Sequence, residues 1–266
     1  MVARLIQAVS GLSETEIKVL LRSRSWQFLQ SYKATETSSN LSQFDWKGIP
    51  IHFRSGTSDP WLIYHILLKT GKKSEYFVPG EIDPGIILDI GANIGITSVY
   101  FAQIFPTSKI YSFEPVPDNC LLLEKNTENL SNIVVSQFAL GSEDGDSELY
   151  YAHNPTNHGG FSFYKKGSDA SQAIKVPIRN ASKALAELEI DRVDLIKIDT
   201  EGSEYEVLMS IDRNILKKVK YIIGELHGER DFELLSHLSE WFDIGVKKST
   251  TNRVFMFNAR NKILSS

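Results

Sequence analysis

A single cysteine, Cys120, rules out an internal disulfide, so stability has to come from an apolar core. Charge of one sign is also lacking: 29 Lys and Arg stand against 33 Asp and Glu, a formal net charge of −4. No basic stripe marks a nucleic-acid surface. The pairs Lys72-Lys73, Lys165-Lys166, Lys217-Lys218 and Lys247-Lys248 are scattered and read as solvated surface. No apolar run approaches the roughly 20 residues that span a bilayer. The apolar stretch within residues 1–12 is broken by Gln7 and Ser10, too early for a signal-peptide core. What remains is a globular chain of 266 residues with 42% hydrophobic residues, ample for a full core. The expectation is a soluble cytoplasmic protein with neither nucleic acid nor membrane as partner. The sequence sets no oligomeric state, and a homodimer is one arrangement it allows.

Two regions differ in pattern. Residues 1–80 read as an N-terminal extension of helix, short strands and helix, packing on the catalytic domain. Ser13 and Glu16 have capping-box spacing, and Ile17, Leu20, Leu21, Phe28 and Leu29 follow at helical intervals. Residues 35–42 are a polar loop, residues 44–53 a strand or hairpin, and Asp59-Pro60 opens a helix carrying Trp61, Ile63, Leu67 and Leu68. Residues 81–266 alternate strand and helix. Strands are predicted at 86–90, 109–113, 133–140, 193–198, 221–226 and 253–258, with shorter ones near 147–152, 160–164 and 174–178. Helices are predicted at 94–105, 117–130, 182–188, 205–210 and 231–241. Such alternation makes right-handed β-α-β units and a doubly wound α/β sheet.

The most informative segment is Leu88-Asp89-Ile90-Gly91-Ala92-Asn93-Ile94-Gly95, between an apolar strand and an apolar helix. Gly91 allows a sharp turn that exposes bare backbone to a ligand, and Gly95 allows the helix to pack closely. In open α/β sheets ligands bind at the carboxyl ends of the strands, where this turn lies. The segment lacks the three glycines of a dinucleotide fingerprint. It also carries a carboxylate, Asp89, which would repel a pyrophosphate and favour a cationic ligand such as S-adenosylmethionine. Glu114, in Ser112-Phe113-Glu114-Pro115, ends the next strand and can accept hydrogen bonds from both hydroxyls of a ribose, with Pro115 stopping the strand and presenting the carboxylate.

Later strand tips are acidic too. Asp199 and Glu201, in Ile196-Lys197-Ile198-Asp199-Thr200-Glu201-Gly202, reach the same sheet edge. They can orient a substrate hydroxyl, take its proton, hold a metal ion, or cap the following helix. Glu225 and His227 lie two apart and share one strand face. His227 titrates near neutrality and is the candidate general base; Glu225 is a candidate substrate contact. Asp199, Glu225 and His227 together are a candidate divalent-metal set. His158, within 154–160, is a further candidate substrate contact on a lid-like segment.

On these residues the chain resembles the FkbM-type S-adenosylmethionine-dependent methyltransferases. The matching segments are Gly56-Thr57-Ser58-Asp59, residues 89–95, Phe113-Glu114-Pro115, Ala139-Leu140-Gly141, residues 197–204, and Glu225-Leu226-His227, in the family's order. The resemblance covers about residues 45–260 and implies a Rossmann-like, seven-stranded sheet. It places Asp89, Gly91 and Asn93, with Ala92 and Gly95 in the same turn, at the methionyl part of the cofactor. Glu114 would hold the ribose, Ala139 and Leu140 would border the adenine, and Asp199 would lie near the reactive methyl. Thr57, Ser58 and Asp59 would close over the cofactor. It also implies O-methylation of a hydroxyl on a small-molecule or glycan acceptor. An N-methyltransferase, a nicotinamide-dependent oxidoreductase on a similar sheet and a catalytically inactive binding module are the competing readings.

Overall fold

The computed structural model describes residues 11–36, 40–151, 161–162, 173–248 and 255–264. The chain divides into two compact units, Met1–Phe77 and Val78–Ser266.

In the first unit, α1 (Glu14–Ser23) starts at the expected capping box: the Ser13 N–H donates to Glu16 Oε2 at 2.6 Å, and the Glu16 N–H donates to Ser13 Oγ at 3.3 Å. The helical run through Leu29 is two helices, not one. Arg24 turns left-handed at φ +53°, and Ser25 caps a new helix, α2 (Trp26–Lys33). The hairpin consists of β1 (Leu41–Trp46) and β2 (Ile49–Arg54), joined by Lys47 and Gly48, both with positive φ as a tight two-residue turn needs. Phe28 packs between Phe44 and Phe53, with ring centroids 4.7 and 5.8 Å away. The Asp59-Pro60 helix, α3 (Asp59–Leu62), runs directly into a π-helical turn, Ile63–Leu68, and Asp59 is buried against Arg54.

The second unit begins with β3 (Ile86–Ile90), α4 (Ile96–Ile104), β4 (Lys109–Phe113), α5 (Pro117–Thr127) and β5 (Ile133–Ser136). An inserted segment follows, with β6 (Ala139–Gly141), β7 (Gly145–Tyr151), β8 (Phe161–Ser162) and β9 (Ala173–Asn180). The chain then continues through α6 (Ala181–Glu187), β10 (Leu195–Ile198), α7 (Glu204–Ser210), α8 (Arg213–Leu216), β11 (Tyr221–Leu226), α9 (Asp231–Leu238), β12 (Phe242–Lys248) and β13 (Phe255–Asn261). The order β12-β13-β11-β10-β3-β4-β5 makes one seven-stranded sheet, in which only β13 runs against its neighbours. This is the Rossmann-like doubly wound sheet the alternation implied. The central strands β3, β10 and β11 are almost wholly buried, as parallel strands covered on both faces must be. Chain order reverses between β3 and β10, and that switch point opens a crevice at the strands' carboxyl ends.

Three elements differ from the sequence pattern. The strand predicted over 133–140 breaks at exposed Gln137. Its first part stays in the main sheet as β5, and β6 joins β7, β8 and β9 in a separate four-stranded sheet. Strand β12 has no clear signal in the sequence, because its end carries the exposed pair Lys247-Lys248 that reads as plain surface. The short helix α8, four residues long, has none either. Among the described residues no helix is long and apolar enough to cross a membrane.

Candidate active site

The crevice at the switch point is a cleft of about 620 Å³ including its open mouth. Its floor is the turn after β3, through Ile90, Gly91 and Asn93. One wall is the end of β4, with Glu114 and Pro115, and the opposite wall is the end of β10, with Asp199, Thr200 and Glu201. Val116, Leu140 and Leu149 give the side beyond Glu114 an apolar slot. Among the described residues no Lys, Arg or His lines the cleft, which offers a ligand carboxylates and backbone.

The turn is held in place from several sides. Both the Gly91 and Ala92 N–H groups donate to the Phe113 carbonyl at 3.0 Å. Gly91 adopts φ +75°, and its missing side chain leaves room for the Asp199 carbonyl: a Cβ there would lie 1.8 Å from that oxygen. The sequence assigned this glycine's bareness to ligand approach; the structure shows that it first admits the neighbouring strand tip. Gly95, at φ +84°, makes room for the Leu123 side chain of α5 and does not line the cleft. Asn93, with φ +51°, lines the cleft, and its side-chain oxygen is buried without a hydrogen-bond partner.

Glu114 is buried at the end of β4. It accepts hydrogen bonds from the Asn93 N–H (2.8 Å) and the Val116 N–H (2.9 Å). Burial pushes its carboxyl up to about 7, against the pull of those two donors.

Asp89 sits elsewhere than expected. It is fully enclosed and absent from the cleft lining. Its Oδ2 accepts from Ser98 Oγ at 2.6 Å, and its Oδ1 is 3.2 Å from the Lys197 ammonium, its register partner on β10. The structure thus places Asp89 beneath the cleft and not in its lining, where the sequence expected it: a carboxylate in the middle of a covered parallel sheet is tolerated only with a partner. Lys197, buried and missed by the sequence reading, stays charged. Burial disfavours its ammonium, but the charges of Asp89 and Asp199 outweigh that and raise its pKa. The signal was available: one cation in the apolar run Leu195-Ile196-Lys197-Ile198 demands a buried anion.

His227 follows β11 and is surrounded by acids. Its Nδ1 is 3.2 Å from Glu204 Oε1, and its Nε2 is 3.0 Å from Glu225 and 3.9 Å from Glu201. Burial works against its charge, but the bonds to Glu204 and Glu225 and the charges of Asp199 and Glu201 win, lifting it to about 11. The surrounding carboxylates thus favour the protonated form of His227, which has no lone pair to take a proton, and this weighs against the general-base assignment. Asp199, Glu201 and His227 place ligand atoms within 4.8 Å of one another, so the group close enough to share an ion has Glu201 where the sequence suggested Glu225. Glu225 is a buried partner of His227 and not part of the cleft lining, which corrects its assignment as a substrate contact. Glu204, fully buried at the start of α7, also accepts from the Thr200 and Gly202 N–H groups and so fixes the loop carrying Asp199 and Glu201. Burial and the nearby Asp199 charge raise Glu201 to about 7.

Of the remaining residues that the sequence singles out, Pro115, Ala139 and Leu140 line the cleft, while Ala92 is buried behind it. Ser58 belongs to the N-terminal unit, directly before α3. His158 lies outside the described residues. Phe113, Val116, Asn119, Leu149 and Thr200 complete the lining. Leu149 could not be found from sequence, because it arrives on the inserted second sheet.

A seven-stranded, mostly parallel doubly wound sheet with a cleft at its switch point is the architecture of the class I methyltransferases. Residues 89–254, more than half of the chain, match the model of the Methyltransferase FkbM domain, and the chain belongs to that family. It is 28% identical over 187 residues to Methyltransferase 1 of Beauveria bassiana, covering 62% of this chain and 75% of that protein. It is 26% identical over 147 residues to the hexuronic acid methyltransferase AglP of Haloferax volcanii, covering 55% of this chain and 57% of that protein. Among solved structures, the FkbM methyltransferase of Methylobacillus flagellatus KT superimposes with a TM-score of 0.50 at 18% identity, over 72% of this chain and 48% of that one. The chain thus spans less than two thirds of the length of two of these three, and 8% of another relative, the synthetase AmbE of Pseudomonas aeruginosa.

Proposed function

We propose that this chain is an S-adenosylmethionine-dependent methyltransferase that methylates a hydroxyl of a sugar-like or secondary-metabolite acceptor. The observation that carries this reading is the pair of acidic walls, Glu114 on one side of the Gly91 turn and Asp199 with Glu201 on the other, around a cleft with no cation among its described lining residues. The residues suit the cofactor. Glu114 can accept from both ribose hydroxyls, and Val116, Leu140 and Leu149 can enclose an adenine. The unpartnered Asn93 side-chain oxygen can accept from the methionyl ammonium. A dinucleotide would bring pyrophosphate charge into this acidic cleft with nothing to neutralise it. Bound there, S-adenosylmethionine supplies an electrophilic methyl group on a sulfonium.

The protein's own part is positioning and proton transfer. Glu201, at about 7, is partly ionised at neutral pH and can take the proton from an acceptor hydroxyl; Asp199 beside it can orient that hydroxyl. The His227 cation, locked by Glu204 and Glu225, offsets part of the negative charge on this wall. Relatives named as methylating a hexuronic acid and as a 2-O-methyltransferase support a hydroxyl acceptor of the sugar class.

The test is turnover with S-adenosylmethionine carrying a ¹³C methyl group, against parallel panels of glycosides, hydroxylated secondary metabolites and amines. The reading expects the label in a methoxy carbon. Label appearing only in N-methyl groups would overturn the hydroxyl assignment.

A further inference from the structure

The cation buried beneath the glycine turn has no part in the chemistry above. Lys197 Nζ donates to the Gly91 carbonyl at 2.7 Å and lies 3.4 Å from the Ile90 carbonyl, with Asp89 Oδ1 at 3.2 Å. Asp89 is in turn held by Ser98, whose hydroxyl is 2.8 Å from Ser112 Oγ on β4. Ser112, Asp89 and Lys197 are register partners across β4, β3 and β10, so one polar row crosses the sheet under the cleft floor. A fully buried ion pair is weak evidence of stabilisation, since apolar replacements of like volume are often neutral or better. Here the cation ends on the one peptide whose orientation matters. The Gly91 N–H is fixed by Phe113, the Gly91 carbonyl by Lys197, and two residues on the Asn93 N–H reaches Glu114.

We infer that Lys197 is a positioning residue for the nucleoside cofactor: its ammonium, neutralised by Asp89, clamps the Gly91 carbonyl and so holds the turn, Asn93 and the Glu114 carboxylate in binding geometry. This rests on the cofactor reading above. Lys197 touches no ligand in the cleft and acts through Gly91. Because β10 also carries Asp199 at its tip, the same lysine ties the cofactor floor to the wall where the acceptor proton is taken.

The test uses the full chain and S-adenosylhomocysteine as probe. Removing Lys197 alone strands Asp89, so Lys197→Met is paired with the charge-neutral double variant Asp89→Asn/Lys197→Met, in which Ser98 can still satisfy the amide. The double variant is expected to keep the wild-type melting temperature within a few degrees while its Kd for S-adenosylhomocysteine rises at least about tenfold, the worth of one charge-assisted hydrogen bond. A folded double variant with wild-type Kd overturns the proposal. A second readout is taken on the wild-type protein and needs only a charge-conserving variant, for assignment. In wild-type protein labelled with ¹⁵N-lysine, a clamped Lys197 gives an exchange-protected ammonium signal, assigned by its loss in Lys197→Arg, that moves when S-adenosylhomocysteine is added. A spectrum with no protected signal, or a signal the probe leaves in place, overturns the clamp while leaving the cofactor reading intact. Failure of the wild-type protein to bind the probe at all overturns both.

Discussion

Gly91 and Asp199 meet across β3 and β10 so closely that a Cβ on residue 91 would lie 1.8 Å from the Asp199 carbonyl oxygen. The turn that forms the cleft floor and the strand tip that forms its acidic wall are therefore one interlocked unit. Gly91→Ala has to adopt φ +75° with a side chain, at about 1–3 kcal/mol, and to push the Asp199 carbonyl aside. The variant is expected to melt well below the wild type and to lose at least about tenfold in S-adenosylhomocysteine affinity, beyond about 1.4 kcal/mol. Thermal melts and calorimetric titration measure the two effects separately.

Glu114 gives the cofactor step a pH dependence. Its carboxyl, pushed up to about 7 by burial, has to be ionised to accept two ribose hydroxyls. A ligand that selects the ionised form binds more weakly as pH falls through 7, approaching about tenfold per unit well below it. Calorimetry between pH 5 and 8 is expected to show this fall in the wild type and a flat, weak profile in Glu114→Gln.

On the opposite wall, turnover is expected to rise with pH through about 7, where Glu201 ionises. Removing the base in Glu201→Gln is expected to lower kcat by roughly 10²–10⁴-fold, the usual worth of a positioned base, with little change in S-adenosylhomocysteine Kd. If kcat survives in Glu201→Gln and collapses in Asp199→Asn, the proton acceptor is Asp199.

The acid-locked histidine contributes to stability with a definite sign. His227 is raised in the folded state from 6.5 to about 11. Its stabilisation is therefore fully present below pH 6.5 and is lost as pH rises towards 11. His227→Gln strands Glu204 and Glu225 and is expected to destabilise the fold by about 3–5 kcal/mol, as breaking a buried ion pair does. The gap between wild-type and variant melting temperatures should be widest near pH 6 and close towards pH 10. A gap that widens above pH 8 would mean that His227 is neutral in the folded protein.

How much of this is legible in the sequence follows from how local each cause is. The capping box at Ser13 and Glu16, the strand-turn-helix around Gly91 and the strand tip at Glu114 are set by residues a few positions apart, and they stand where the pattern puts them. The seven-stranded sheet is legible because alternation of strand and helix leaves few topologies. The role of Asp89 is not legible from its local motif: its partner Lys197 is far along the chain and adjacent only through β-sheet register. The acidic surroundings of His227 are hidden for a similar reason. A histidine near neutrality is the expectation in isolation, but Glu201 and Glu204 arrive from the loop and helix after β10 and, with Glu225 two residues away on β11, favour its protonated form. The four-stranded insert that brings Leu149 to the cleft has strands in the sequence but no signal that they form a second sheet.

The measurement that bears most directly on the central claim is a calorimetric titration of the wild-type chain with S-adenosylhomocysteine and, in parallel, with NADH. Saturable binding of S-adenosylhomocysteine that is lost in Glu114→Ala, with no heat from NADH, is the predicted result. Binding of NADH in place of S-adenosylhomocysteine, or S-adenosylhomocysteine binding that Glu114→Ala leaves unchanged, would contradict it.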